Sequence, residues 1–195
     1  MVRLFVWMEA SDKMDARLRR LREDDIEMVR MWRMHPEITK YMYTDPVISA
    51  EDQRRWYKRI NESEDVYWII EQEGVPVGLA SLVEWDKNNN IVMGNSYIVE
   101  RNKDTLKLAV NLQINMFYYA FEIMKVNKVY GEIMAENVGV LRSLELCGSK
   151  QEGVLREKVY KNGKYHDIVM HGIIRSDWEA MQERVKSKMF VNNEF

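Results

Sequence analysis

The spacing of apolar and polar residues changes along the chain and predicts a mixed α/β fold. From Arg17, a short and imperfect alternation indicates an edge strand. A helix follows, with Asp24 or Asp25 available to cap it and Pro36 to end it. Residues 49–52 have the spacing of a capping box and predict a second helix. Both helices have one apolar side, so we expect them to lie on a sheet.

Three β-rich segments after these helices predict an antiparallel meander. Residues 66–70 and 77–83 flank a turn at residues 73–74. The asparagine-rich turn at residues 86–90 leads into a third strand, which is predicted to end near Glu100. Because the connections are short, each of these strands is expected to pair with the next one.

The following segment predicts a helical crossover between parallel strands. Residues 106–124 carry apolar groups on one side and a polar stripe on the other, which indicates a helix with one buried face. The β-rich run at residues 129–134 lies too far along the chain to be a hairpin partner of the strand that begins at Tyr97, so parallel pairing is expected. A short helix over residues 138–146 is predicted to end at Gly148.

The last part of the chain predicts a hairpin and a terminal helix. Two β-rich runs, residues 154–160 and 165–174, flank an Asn-Gly pair at residues 162–163, which is a strong hairpin signal. A capping box at residues 176–179 is expected to open a C-terminal helix. Residues 191–195 are expected to fray.

Composition and charge limit the classes of protein to consider. A chain of 195 residues, 46% of them hydrophobic, supports one core, so we predict a single domain over residues 17–188 with an extension at 1–16 and a tail at 189–195. The net charge of -2 gives no field that attracts nucleic acid or an anionic membrane, and neither partner is expected. The single cysteine, Cys147, fits a reducing compartment, and no apolar run approaches the roughly 20 residues of a membrane span. A cytoplasmic location is predicted.

The stretch from Tyr97 onward predicts a site for a phosphorylated ligand. Here a strand passes through a short loop, residues 101–106, directly into a helix. That arrangement places unpaired backbone N–H groups and the positive end of the helix dipole at one point, which favours phosphate. Arg101, Lys103 and Lys107 add positive charge to the same segment.

Several local motifs, in the same order along the chain, resemble those of the GNAT acetyltransferase superfamily. Residues 32–36, Trp-Arg-Met-His-Pro, resemble a W-R-N-x-P segment, and residues 119–121 resemble the y-A-F end of the central helix. Residues 136–137, with Gly148 beyond them, resemble E-N-x-x-S…G-F, and residues 162–167 resemble an n-G-x-y-x-D hairpin. The set is most similar to the branch of ribosomal-protein alanine, polyamine and pseudaminic-acid-pathway aminosugar N-acetyltransferases. Within that branch it is closest to the last.

The resemblance implies a fold, a co-substrate and sets of site residues. The implied α/β (α+β) fold has a mixed, mostly antiparallel central sheet, helices on both faces, and a parallel pair of the fourth and fifth strands that splays to hold acetyl-CoA. The cofactor-binding residues it implies are Ile98, Val99, Glu100, Arg101, Lys103, Asp104, Thr105, Leu106, Lys107, Asn137 and Arg142. The substrate-binding residues are Trp32, Arg33, His35, Tyr41 and Trp85.

Departures from the family pattern affect the predicted chemistry. Thr105 and Lys107 stand near positions where the superfamily loop has glycines, and Leu144 stands where many relatives have a tyrosine that can protonate the leaving thiolate. We therefore expect catalysis mainly by orientation, with strand amides near Ile98 and Glu100 polarising the carbonyl. Glu84, working through a bound water, is the candidate base, and Tyr97 the first candidate acid; Tyr160, Tyr165 and Cys147 are further substitutes in principle.

The predicted reaction is direct transfer of acetyl to a small-molecule primary amine. Neutralising an amine of pKa about 10.4 at pH 7 costs roughly 4 to 5 kcal/mol, whereas an amine near pKa 8 costs about 1.4 kcal/mol. This favours an amino sugar or a peptide N-terminus over a lysine-like amine. The resemblance implies a nucleotide-linked amino sugar first, with a protein N-terminus or a polyamine as the alternative and a binding module with lost catalysis as the third hypothesis. No metal is expected, since His35, His166 and His171 lack ligand spacing, and the protein is expected to be a monomer or a homodimer.

Overall fold

A seven-stranded sheet organises the structure. The computed structural model describes residues 14–99 and 102–195. The strands are β1 (Ala16–Arg20), β2 (Val66–Gln72), β3 (Val75–Asp86), β4 (Ile91–Ile98), β5 (Lys128–Met134), β6 (Lys150–Lys161) and β7 (Lys164–Ile174). Their order across the sheet is β1-β2-β3-β4-β5-β7-β6, so β1 is an edge strand as predicted.

Helices cover both faces of this sheet. They are α1 (Ile26–Met34), α2 (Pro36–Thr39), α3 (Ala50–Asn61), α4 (Thr105–Tyr118), α5 (Val138–Leu146) and α6 (Arg175–Val185). Short 3₁₀ turns occur at Glu23–Asp25 and Lys186–Lys188, and a π-helical turn at Tyr119–Ile123 continues α4. The mixed α/β fold predicted from the sequence is confirmed. Among the described residues, no helix has the length and apolar character needed to cross a bilayer.

The one parallel contact between neighbours in the sheet is short. β4 and β5 pair from Ile91–Lys128 to Met93–Tyr130, and every other strand pair is antiparallel. Within the described residues, no register continues beyond Met93–Tyr130, although both strands run on for several residues. The predicted parallel pair is therefore confirmed, and its two strands diverge toward their carboxyl ends.

Two consecutive residues of β4 show which helices lie on which face. Tyr97 meets the ring of Trp32 on α1 edge-on, with 6.4 Å between the ring centroids. Ser96 accepts a hydrogen bond from Gln113 on α4 at 3.2 Å. Because successive side chains of a strand point to opposite faces, α1 and α4 lie on opposite faces of the sheet. Residues of α3 and α5 pack beside α1 and α4 respectively.

Helix α4 is buried on more than one face, contrary to the prediction. Asn111 and Asn115 of its expected polar stripe are 4% and 0% exposed, while Ile123 of the expected apolar face is 46% exposed. The amide of Asn115 donates to the carbonyl oxygen of Lys188 and accepts from the backbone N–H of Phe190. The C-terminal segment thus covers the polar stripe and supplies hydrogen-bond partners to its side chains. The helical periodicity of the sequence does not show this contact.

The C-terminal residues pack instead of fraying. The backbone N–H of Glu194 donates to the carbonyl oxygen of Leu18 on β1 at 2.8 Å, and the indole N–H of Trp68 donates to the carbonyl oxygen of Glu194 at 3.1 Å. The ring of Phe195 stacks on that of Tyr118. The expectation of a frayed tail was therefore wrong, because these residues cover the open edge of β1.

Two predicted helix caps are replaced by other contacts. Helix α6 begins at Arg175, one residue before the expected capping serine, and the Arg175 N–H donates to the carbonyl oxygen of Asn127. Asp25 precedes α1 as expected, but its carboxylate accepts from the backbone N–H of Arg22 and pairs with Arg19. The capping box at residues 49–52 is confirmed.

Candidate active site

A cleft opens where β4 and β5 diverge, and we call it the central cleft. Its volume is about 830 Å³. On one face it is lined by residues of α1 and α3, and on the other by residues of α4 and α5. The cleft therefore crosses the sheet through the gap between the two strands.

The edge of β4 that faces the gap carries unpaired backbone groups. The N–H of Val99 donates to the carbonyl oxygen of Val77 on β3 at 2.8 Å. Since the bonds of an antiparallel ladder alternate, the N–H groups of Ser96 and Ile98 point the other way, toward the cleft. Of the two strand amides predicted to polarise the carbonyl, that of Ile98 is thus available to a ligand, and Glu100 lies outside the described residues. Val99, a predicted cofactor-binding residue, turns its N–H to β3 instead.

The start of α4 also presents backbone N–H groups. Asn102 and Thr105 form a local turn in which the Asn102 N–H donates to Thr105 Oγ1 at 2.7 Å and the Asp104 N–H to Asn102 Oδ1 at 2.9 Å. The N–H groups of Leu106 and Lys107 have no backbone acceptor among the described residues. They remain available for an anion at the positive end of the helix.

In the described part of this segment, residues 102–107, no residue has a positive φ, so the absence of glycine brings no backbone strain there. Thr105 and Lys107 have ordinary helical φ angles, so neither position requires glycine. Lys103, Asp104, Thr105, Leu106 and Lys107 do not line the central cleft. Arg101, like Glu100, lies outside the described residues. The predicted phosphate-binding role of this segment stays a prediction.

Asn137 lines the central cleft, whereas Arg142 does not. The Asn137 side chain makes no capping bond to α5; its backbone carbonyl oxygen accepts from the N–H groups of Val140 and Leu141 instead. The side-chain amide therefore does not cap α5, and among the described residues it has no hydrogen-bond partner that would keep it from a ligand. Arg142 lies on the exposed side of α5, near Glu145.

Leu144 lines the central cleft, so the position that many relatives fill with tyrosine faces the proposed ligand. Three of the named substitutes for that tyrosine lie elsewhere. Cys147 is fully buried, where burial raises the pKa of its thiol, and it contacts the carbonyl oxygen of Val110. Tyr160 and Tyr165 are exposed and lie against each other at the hairpin tip. None of the three lines the cleft, so those alternatives were wrong.

Tyr97 lines the central cleft and keeps a buried hydroxyl. Among the described residues this hydroxyl has no hydrogen-bond partner. Burial raises the pKa of Tyr97, and the nearby charge of Arg33 lowers it by less. The hydroxyl is therefore protonated at neutral pH and can donate a hydrogen bond into the cleft.

Glu84 also lines the cleft, at a point where β3 is irregular. The register shifts between Val83 and Asp86, and Glu84 has a left-handed φ of 55°. The Asp65 carboxylate accepts the Glu84 N–H at 3.1 Å and supports this conformation. A bulge changes the direction of the side chains on its strand, and this change explains why Glu84 lines the cleft although it lies near the end of β3.

Two of the five predicted substrate residues, Arg33 and Tyr41, line the central cleft. The other three do not. Trp32 packs behind Tyr97, and His35 caps α2 by accepting the Glu37 N–H. Trp85 lies near the end of β3, where its indole N–H donates to Asn90 Oδ1. Each of these three side chains is used in local packing or capping, and their contact with substrate stays a prediction.

Sequence reasoning missed several residues that the structure brings to the cleft. Glu132, on β5, accepts hydrogen bonds from Tyr43 and Lys158. His171, on β7, is 2% exposed and lies 3.5 Å from Ser149 Oγ; its burial lowers its pKa, so the ring is neutral at pH 7. A carboxylate in the β-rich run at residues 129–134 was a usable signal for Glu132, whereas the proximity of His171 depends on the order of β5 and β7.

The described residues that line the cleft carry more acid than base. Arg33 is the cationic side chain among these lining residues, and its guanidinium contacts the Met42 sulfur. Lys158 and Arg55 pair with two of the lining carboxylates, and the other two have no cationic partner among the described residues. The four carboxylates are those of Glu37, Asp52, Glu84 and Glu132. In the described parts of the chain, no group of three or more His, Cys, Asp or Glu side chains is placed to hold a metal ion.

The fold agrees with comparisons to known proteins. Residues 15–150 match the family described as acetyltransferase (GNAT) domain. The chain belongs to the GNAT acetyltransferase family. It is accordingly an acyltransferase of the N-acetyltransferase type.

Two curated GNAT relatives show how far the similarity extends. The chain is 24% identical over 166 residues to a spermidine N(1)-acetyltransferase of Vibrio cholerae, covering 83% of this chain and 94% of the relative. It is 27% identical over 124 residues to the acetyltransferase PseH of Campylobacter jejuni, covering 63% of this chain and 74% of the relative. The GNAT membership predicted from the motifs is confirmed.

A solved GNAT structure has the same fold. The crystal structure of a spermidine N-acetyltransferase from Vibrio cholerae in complex with CoA and spermine matches with a TM-score of 0.77 and 23% identity. The match covers 85% of this chain and 98% of the other. That likeness supports the arrangement of strands and helices described above.

Proposed function

We propose that this GNAT protein transfers the acetyl group of acetyl-CoA directly to the primary amine of a small cationic molecule. The observation that carries this proposal is the central cleft. The open edge of β4 lies on one side of it, and carboxylates line the other side. One side offers backbone N–H groups, and the other offers carboxylates that attract a cation.

The residues on the first side fit acetyl-CoA. The N–H groups of Ser96 and Ile98 that point into the cleft can donate hydrogen bonds to the amide carbonyl groups of acetyl-CoA. The side chain of Asn137 lines the same cleft. The open N–H groups of Leu106 and Lys107 suit phosphate. When bound there, acetyl-CoA supplies an activated thioester carbonyl. An N–H group on β4 that points at the carbonyl oxygen would stabilise the charge that develops on it.

The second side fits a protonated amine that must lose its proton before it attacks. The carboxylates of Glu37 and Glu84 have no cationic partner among the described residues, and Arg33 is the lining cation. An acidic wall raises the local concentration of cationic amines. Glu84, placed by its bulge, is the group we assign to accept the amine proton through water.

Two classes of acceptor meet this description, a polyamine and an amino sugar. The similarity to spermidine N-acetyltransferases favours the first. The motifs that most resemble the aminosugar branch favour the second. A nucleotide-linked sugar would have to keep its phosphates outside the acidic part of the cleft, with the amino group pointing in.

Thiol release from acetyl-CoA tests the proposal directly. The protein is assayed with spermidine, with free and nucleotide-linked amino sugars, and with a peptide that has a free N-terminus. We expect release that depends on one of the small amines. No release with any amine, together with no thermal stabilisation by millimolar acetyl-CoA, would contradict the proposal and leave a binding module.

A charge-neutral variant tests the role of Glu84. Glu84→Gln is expected to lower kcat by roughly 10- to 100-fold, since general base catalysis contributes at least that much. The matched control is Glu179→Gln, the same change at an exposed position on α6. If both variants keep full activity, Glu84 is not the base.

A further inference from the structure

Two polar atoms in the wall of the central cleft are buried without a hydrogen-bond partner. They are Nε2 of Gln53 on α3 and the hydroxyl of Tyr97 on β4. Gln53 is 4% exposed, so its amide is almost wholly withdrawn from solvent. Both residues line the cleft on the face where α1 and α3 lie.

The position of Gln53 is one where an apolar residue is expected. It lies one turn before Trp56 and two turns before Ile60, on the inward side of α3. The helix cap does not use its side chain, because Ser49 and Asp52 bond to each other there. An unpaired amide in this place costs folding free energy, so a ligand is the natural source of its partner.

Aromatic pairs hold the wall around these two atoms. Trp56 meets Tyr67 edge-on at 5.3 Å, and Trp32 meets Tyr97 edge-on at 6.4 Å. Such pairs fix ring orientation, so the Tyr97 hydroxyl is positioned before any ligand arrives. Both unpaired atoms therefore belong to side chains that line the cleft beside ordered aromatic rings.

We infer that Gln53 and Tyr97 bind an oxygen atom of the acceptor, and that the acceptor is a hydroxylated small amine of the amino sugar or amino alcohol class. This inference rests on the proposed N-acetyltransferase function. An amide N–H needs a hydrogen-bond acceptor, which a protonated polyamine lacks. A hydroxyl group donates as well as accepts and can pair with both side chains. A site built around such a bond selects against analogues that lack the oxygen.

The test compares two acceptors across matched variants. Wild type, Gln53→Leu and Tyr97→Phe are assayed for kcat/KM with an amino sugar and with spermidine. Gln53→Leu is expected to lower kcat/KM for the amino sugar by 10- to 100-fold and to leave the value for spermidine within threefold, and Tyr97→Phe to show a smaller loss of the same kind. Gln53→Glu, whose carboxylate accepts from an ammonium group, is expected to shift preference toward spermidine. Gln151→Leu, at an exposed position on β6, is the control.

The outcomes separate this inference from the proposed function. Equal losses for both acceptors, or no loss for either, would overturn the role of Gln53. Absence of turnover with every amine would instead contradict the N-acetyltransferase proposal. Thermal unfolding would then still test whether the Gln53 amide is unpaired in the free protein. Replacing an unpaired amide by an apolar side chain of similar volume is expected to raise Tm, and a lower Tm for Gln53→Leu would show that the amide is paired in the free protein.

Discussion

A Cβ atom on Gly78 would overlap the backbone carbonyl oxygen of Tyr97 and lie 3.1 Å from Cα of Ile98. Gly78 therefore allows β3 to approach the end of β4 where the open edge begins. Gly78→Ala must push this end of β4 away, at a cost of about 1–3 kcal/mol. We expect a lower Tm and a KM for acetyl-CoA raised several-fold, measured by thermal unfolding and steady-state assay.

The control for this change is Gly153→Ala. A Cβ atom at Gly153 meets nothing within 4 Å, and that residue has an ordinary φ. If Gly78→Ala lowers Tm without changing the KM for acetyl-CoA, the end of β4 does not hold the co-substrate.

Arg19 lies between two carboxylates in a buried ion network. Its Nε is 2.6 Å from Glu71 and its Nη1 is 2.8 Å from Asp25, with the three side chains 8 to 12% exposed. Removing one charge leaves the others uncompensated, so Glu71→Gln is expected to lower the free energy of unfolding by about 3 kcal/mol. Urea unfolding at pH 7 measures this loss of unfolding free energy, with Glu179→Gln as the exposed control. Equal unfolding free energies for the two variants would contradict the expectation.

The same network predicts a pH dependence. Burial raises the pKa of Glu71, but hydrogen bonds from Arg19 and Arg17 outweigh it, and the net shift is downward from the ordinary value of 4.5. A carboxyl whose pKa is lower when folded stabilises the protein above its unfolded pKa and loses that contribution as the pH falls through the folded value. Urea unfolding should therefore show stability falling below about pH 4.5 in wild type, with a shallower fall in Glu71→Gln. An unchanged slope would assign the effect to other groups.

The sequence predicted the elements well because their signals are local. The hairpin at Asn162 and Gly163 and the cap at Ser49 depend on residues a few positions apart, and both were confirmed. The burial of Asn115 could not be predicted in this way, since its partners lie some 75 residues further along the chain. The periodicity of the sequence shows that these polar residues share one face of α4, but it does not show whether another segment covers that face.

The candidate site was less predictable for a similar reason. The motifs indicated a cofactor strand and Asn137, but the wall of the cleft is assembled from elements far apart in sequence. Gln53 gives no signal as a binding residue until its burial and its missing partner are known. Trp32 and His35, which lie in a family-like motif, are instead used to pack Tyr97 and to cap α2.

The side chain of Asn115 connects α4 to the C-terminal segment and gives a further prediction. It bonds to Lys188, Phe190 and Asn193 and is fully buried. Asn115→Leu removes its hydrogen bonds to the Lys188 carbonyl oxygen, the Phe190 N–H and the Asn193 side-chain amide. We expect a loss of about 2–4 kcal/mol of unfolding free energy and faster proteolysis near the C-terminus. Asn102→Leu is not a suitable control because it breaks a turn; the exposed Asn61→Leu is. Equal protease sensitivity of both variants would contradict the connection.

Leu144 allows a test of proton transfer to the departing thiol. Leu144→Tyr places a phenol at the position where the resemblance implies a tyrosine, and kcat is expected to rise by roughly tenfold if protonation of the thiolate limits the rate. Leu144→Phe adds the same ring without the hydroxyl and serves as control. A rise in both variants would be a packing effect, and no rise in either would mean that thiolate protonation does not limit turnover.

The central cleft crosses the sheet, and that geometry sets the kinetic order of the reaction. In the proposed function, acetyl-CoA and the amine approach from opposite faces of the sheet, so neither would block the entrance or exit of the other. Both can be bound at once, and the acetyl group need not rest on the protein between them. Initial-rate data at several fixed amine concentrations should then give intersecting double-reciprocal lines, whereas parallel lines would require an acetylated protein that releases CoA before the amine binds.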